Sequence, residues 1–132
     1  MRKTLTGTCH CGAVRFETDI DLSAGTVKCN CGMCTKSRMW SVIVPPDNFR
    51  LVSGDDALTD YQPDGSHHLF CKHCGVRSFA WGDSPALGGK FYAVRVSALD
   101  DIDIDELANA PIRYFDGRND RYDRAPLETR QL

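Results

Sequence analysis

Seven cysteines stand in three short clusters: Cys9-x-Cys11, Cys29-x-Cys31-x-x-Cys34 and Cys71-x-x-Cys74. Thiolates at such spacings reach one tetrahedral zinc ion at roughly 2.3 Å each. Each cluster has a glycine directly after a cysteine: Gly12, Gly32 and Gly75. A loop that aims two sulfurs at one ion must turn sharply, and glycine permits the positive φ such a turn often needs. The number of cysteines is odd, so disulfides alone cannot use them all. Cysteines at these spacings in a reducing compartment point to metal binding or thiol chemistry.

Seven divides as four plus three. A closed structural site takes four protein ligands, and two pairs from distant parts of the chain make the best staple because they close a long loop. Cys9 and Cys11 with Cys71 and Cys74 fit that description. Cys29, Cys31 and Cys34 then supply three thiolates from one short loop. The fourth position is left to a substrate, a water, or one of His10, His67, His68 and His73. An open position is what separates catalytic from structural zinc. Three thiolates on Zn²⁺ leave a complex of charge −1 with a free corner. A soft ion of that kind prefers a further thiolate and strips the proton from an incoming thiol. A thiol substrate is therefore expected more than an activated water.

Other residues near the loop are candidates for holding that substrate. Lys36 and Arg38 could attract a carboxylate. Trp40 and Phe70 could wall a pocket, and His67, His68 and His73 could move protons. Solvated basic side chains, core aromatics and exposed histidines are the plainer readings of the same residues.

The elements that position these groups read as short strands. Ala13 to Thr18 alternates as a half-buried strand does. Trp40 to Val44 is a β-branched run ended by Pro45-Pro46, and Phe49 to Val52 closes on the turn residues Ser53-Gly54-Asp55. His68 to Cys71 leads into the third cluster, and Phe91 to Val96 is the clearest late strand. Only Asp103 to Ala110 has a helical pattern, for about two turns before Pro111. Met33 to Arg38 can add one more helical turn. A mainly β domain follows, with one domain over residues 1–132.

Composition narrows the function classes. Hydrophobic residues are 42% and charged residues 26%, which reads as globular. The net charge of −2 gives no argument for nucleic acid or an anionic membrane surface as partner. No stretch has the apolar length to span a bilayer, and no apolar run follows Met1–Thr6 as in a signal peptide, so the cytoplasm is the expected compartment. The acidic run Asp100–Glu106 fails as a calcium loop counted from Asp101. Its sixth position is Glu106 rather than glycine, and its twelfth is Ile112 rather than glutamate. The Arg/Asp-rich tail after Arg113 either caps the domain or meets a second subunit, which leaves a homo-oligomer open.

With the clusters placed, the chain resembles the glutathione-dependent formaldehyde-activating enzyme family, of CENP-V type. The matching stretches are Gly7 to Phe16, Cys29 to Lys36 and Phe70 to Gly75, with Phe49 to Gly54, Leu58 and Tyr61 in the spacer. The resemblance implies an Mss4-like zinc-bound β fold with two zinc ions. It implies a structural ion on Cys9, Cys11, Cys71 and Cys74, and a catalytic ion on Cys29, Cys31 and Cys34. The activity it implies is a carbon–sulfur lyase or synthase joining glutathione to formaldehyde as S-(hydroxymethyl)glutathione. The chain departs from many relatives at His68, Gly32, Thr35 and Trp40, where arginine, serine, arginine and a small residue are common. The alternative is a non-catalytic Mss4-like zinc-binding interaction module, since fold does not fix function.

Overall fold

The first hairpin is built from the alternation the sequence shows. In the computed structural model, which describes all 132 residues, β1 (Lys3–Thr8) and β2 (Arg15–Ile20) pair antiparallel from Lys3↔Ile20 to Thr8↔Arg15. The loop between them carries Cys9 and Cys11. Further on come β3 (Thr26–Cys29), the helical turn α1 (Gly32–Lys36), β4 (Ser41–Val44) and β5 (Phe49–Ser53). Next are β6 (Leu58–Tyr61), β7 (His67–Cys71), β8 (Phe79–Ser84) and β9 (Gly89–Arg95). Helix α2 (Ile104–Asn109) and strand β10 (Ile112–Phe115) follow. The fold is mainly β. The order β1-β2-β5 forms a three-stranded sheet, and β10-β3-β4-β9-β8-β7-β6 a seven-stranded one.

Period-two alternation gives the large sheet two distinct faces. Val42, Val44, Phe79 and Val94 point to the small sheet and meet Leu5, Phe16 and Phe49 in the main core. Phe49 sits at its centre, with ring centroids 5.3 Å from Phe16, 4.6 Å from Phe79 and 4.2 Å from Tyr92. Burying each such ring stabilises the fold by roughly 1.5–3 kcal/mol. The opposite face carries Val27, Cys29, Ile43, Ala80, Ala93 and Arg95, and with Phe115 it forms the floor of a cavity. Strand β10 pairs parallel with β3, placing Phe115 beside Cys29.

The strands read in the sequence fall within one or two residues of those seen. Helix α2 is capped by Asp103, whose carboxylate accepts from the Glu106 N–H at 3.0 Å, and it stops at Ala110 before Pro111. Strands β1, β3, β6, β8 and β10 had no comparable signal. No helix is long and apolar enough to cross a membrane.

Candidate metal centres

The fold brings the first and third cysteine clusters together. Cys9 and Cys11 lie in the β1–β2 loop, Cys71 ends β7, and Cys74 follows in the next turn. Their four sulfurs lie within 4.8 Å of one another and can hold a metal ion. Cys11 Sγ is 3.7 Å from both Cys9 Sγ and Cys71 Sγ. A sulfur tetrahedron around zinc has edges of about 3.8 Å, whereas a disulfide needs about 2.05 Å. The donor set and its spacing thus fit the ion. Gly12 (φ 81°) and Gly75 (φ 77°) both take the left-handed backbone that closes the two turns.

Backbone N–H groups already favour thiolates there. The Val14 N–H donates to Cys9 Sγ at 3.3 Å. The Cys11 and Val76 N–H groups hold the Cys74 thiol down at about 6. The Cys74 N–H, with that of His73, also lowers Cys71. Cys11 feels the Ala13 N–H in the same sense, but burial and the neighbouring thiols Cys71, Cys9 and Cys74 push it up to about 11. Crowded sulfurs compete for charge, and a divalent cation resolves that competition.

The second cluster is local. Cys29 ends β3, Cys31 caps α1, and Cys34 lies inside α1. The Cys34 N–H donates to Cys31 Sγ at 3.4 Å, and the Cys31 N–H donates to Cys29 Sγ at 3.4 Å. The three sulfurs lie within 4.8 Å of one another, and no histidine joins the group. The Cys29 and Cys34 thiols hold Cys31 down at about 2, while Cys31 pushes Cys29 up, and Cys29 and Cys31 together push Cys34 up. One thiolate shared by three sulfurs is a good donor set for a cation.

Unlike the first cluster, this one opens on a cavity of about 400 Å³. That volume lies within the usual range of small-molecule sites. The sulfurs form one end, and Tyr122, Trp81, His68 and Arg77 form part of the wall. A Cβ on Gly117 would sit 2.5 Å from Cys29 Sγ and 3.3 Å from the Tyr122 hydroxyl. The backbone after β10 therefore presses against the cluster, and only glycine fits there.

The loop is held from both sides. Asn30 is buried. Its amide donates to Asp116 Oδ1 at 2.9 Å, and its Oδ1 accepts from the Arg118 N–H at 2.9 Å. Arg95 is 7% exposed and donates to the Ser37 carbonyl (3.1 Å) and hydroxyl (3.0 Å) at the end of α1.

The model of one protein family, the glutathione-dependent formaldehyde-activating enzymes, matches residues 4–115. The chain belongs to that family. All seven cysteines and the sheet floor fall within the matched span. The chain is also similar to a crystal structure of a Rhodobacter sphaeroides protein. The two share 28% identity and a TM-score of 0.68, over 82% of this chain and 99% of that one.

Within this family member, the other sequence candidates go to different places. Lys36 is exposed and does not line the cavity. Arg38 and Trp40 border a second, smaller cavity of about 150 Å³ that also touches Cys29 and Cys34. Arg38 donates to the Gln131 carbonyl at 2.8 Å. Trp40 packs against the main core, and its indole N–H donates to Thr26 Oγ1 at 2.8 Å. His67 stacks on Trp81 at 3.6 Å and bonds Asp60. His68 lines the cavity: its Nδ1 accepts from Arg77 Nη2 at 2.8 Å, and its Nε2 lies 3.3 Å from Asp64 Oδ1. A guanidinium only donates, so His68 has its lone pair on Nδ1 and its proton on Nε2. Gly32 has no positive φ; it is the first residue of α1.

Among the cavity residues that escaped the sequence reading are Arg77, Arg95 and Tyr122. Arg95 left a signal, a charge inside the apolar run Phe91–Val96. Arg77 left a weaker one, a cation between the third cluster and an apolar strand. Tyr122 left none, because it reaches the cluster only through the path of the chain after β10.

Proposed function

We propose that the protein is a zinc enzyme that adds a thiol of the glutathione class to a small aldehyde such as formaldehyde. Run in reverse, it acts as a carbon–sulfur lyase on the adduct. The observation that carries this reading is the sulfur count: four sulfurs form a closed group, while three form the end wall of a cavity. The description of the family supports the substrate pair.

On this reading Cys9, Cys11, Cys71 and Cys74 hold a structural zinc, and Cys29, Cys31 and Cys34 hold a second zinc at the cavity. An ion on three thiolates supplies a free coordination position and the charge that deprotonates a thiol near neutral pH. The chain's own residues orient the partners. The thiol sulfur adds to the carbonyl carbon, the C=O electron pair moves to oxygen, and that oxygen takes a proton to give the hydroxymethyl thioether. Tyr122 lines the same cavity, and its hydroxyl donates a hydrogen bond to the developing oxygen. The apolar floor of Ile43, Phe91 and Ala93 limits the water that competes for the aldehyde.

Native mass spectrometry of the protein should find two zinc ions. After cobalt substitution, millimolar glutathione should change the sulfur-to-cobalt absorption band. The protein should also speed hydroxymethyl thioether formation, followed by exchange NMR. A silent cobalt band at millimolar thiol removes this reading and leaves a zinc-binding interaction module in its place.

A further inference from the structure

Arg77 is the cavity cation whose hydrogen bonds are incomplete. Its Nη2 donates to His68, but Nε and Nη1 are buried and meet no partner. A guanidinium has five N–H donors and no acceptor, and leaving buried donors unpaired is unfavourable. No carboxylate lies within ion-pair distance of it; Asp64 reaches it only through His68. Arg95, the other arginine of the cavity, differs because both of its Nη atoms are used on Ser37. Arg95 fixes the loop, while Arg77 lines the cavity as a cation with no carboxylate beside it. The relay Asp64–His68–Arg77 also holds the guanidinium in place, because His68 cannot turn without losing both bonds.

The rest of the wall decides the sign of the ligand group that Arg77 meets. Asp83 and Asp120 also line the cavity and repel a second negative charge from their side. Arg77 is a cavity cation without a carboxylate partner, and its Nε and Nη1 join the Ser41 hydroxyl as buried, unpaired groups of the wall. A ligand anchored by its sulfur at the three-cysteine end can direct a second group to Arg77.

We propose that Arg77 forms an anion subsite of the cavity, and that it takes a carboxylate of the same ligand whose thiol sits at Cys29, Cys31 and Cys34. This rests on the thiol reading above and adds a selectivity to it: thiols that carry a carboxylate bind in preference to neutral ones. The planar guanidinium matches a carboxylate in shape as well as charge.

The test uses the cobalt-loaded full chain, with binding read from the sulfur-to-cobalt band. The probes are 3-mercaptopropionate and 2-mercaptoethanol, close in size and different in charge. The wild type should bind the carboxylate thiol at least tenfold more tightly, as expected for one charge-assisted hydrogen bond in a partly buried site. In Arg77→Gln the two dissociation constants should converge to within about twofold, chiefly through weaker 3-mercaptopropionate binding, and Arg77→Lys should restore part of the gap. A gap that survives in Arg77→Gln overturns the proposal. So does an equal loss for both thiols, which would make Arg77 only a counter-charge for the sulfurs.

A band unmoved by either thiol would end the thiol reading but not decide the subsite. A second measurement on the wild type does so. The Arg77 Nε–H resonance should shift on titration with propionate and stay still with propanol. No shift with propionate overturns the subsite whatever the thiols do.

Discussion

Cys74 and Cys34 are the same group in the same half-buried setting, yet their loss should differ. Cys74 packs against the main core, in a cluster that joins the β1–β2 loop to the end of β7. A structural zinc site contributes on the order of 10 kcal/mol, comparable with the whole stability of a small domain. Cys74→Ser should therefore unfold the protein at 25 °C or lower its melting temperature by more than about 15 °C. Cys34→Ser should keep the fold and lose one of two metal equivalents, as read by circular dichroism and native mass spectrometry. Tyr122→Phe should keep both ions and lower kcat by roughly tenfold to a thousandfold, the range for removal of one donor to a developing oxyanion. An unchanged kcat would remove Tyr122 from the chemistry. The cysteines were legible because each cluster's ligand spacing is local. Arg77 and Tyr122 were not, since tertiary structure alone brings them to the sulfurs.

Among the elements, the small sheet is pinned by one carboxylate. Asp19 on β2 accepts from both Arg50 Nη atoms on β5, each at 3.1 Å, and from the Thr4 hydroxyl on β1 at 2.7 Å. The Arg50 bonds, with that of Thr4, hold its pKa down at about 2, against 3.8 in an unfolded chain. A depressed folded-state pKa gives stability that is fully present above about pH 4 and is lost as the pH falls toward 2. Asp19→Asn should therefore lower the melting temperature at pH 6, and the difference from wild type should vanish near pH 2. A constant difference across that range would show that the charge plays no part. Strands such as β5 and β9 could be read from β-branched and aromatic runs. The polar edge strand β6, and β8 with its Gly82 and Asp83, could not. Their pairing comes from neighbours in the sheet rather than from their own alternation. Gly32 shows the limit of reading glycine by position: next to a cysteine it marked a turn, but it begins a helical turn instead.

At the scale of the whole molecule, one sheet serves two purposes. One face is sealed against the small sheet and carries the cohesion of the fold. The other is left to polar and sulfur-bearing groups, with Arg77 and Arg95 beside apolar floor residues. The runs Trp40–Val44 and Phe91–Val96 marked β4 and β9 as strands, but not which of their faces would be covered. The face assignment depends on where the β1–β2 hairpin and the stretch from Ile112 to Tyr122 come to lie.

The parallel pairing of β10 with β3 sets an order of events. The Cys29 loop leaves the ribosome some eighty residues before Phe115, Gly117 and Tyr122, which complete its surroundings. The four-sulfur group is entirely synthesised by Cys74, so all of its sulfurs are present while the remainder is still being translated. The cavity can close only after the last strand has slotted in beside β3. Until that strand docks, Cys29, Cys31 and Cys34 lack the cover that Phe115, Gly117 and Tyr122 give them in the finished fold.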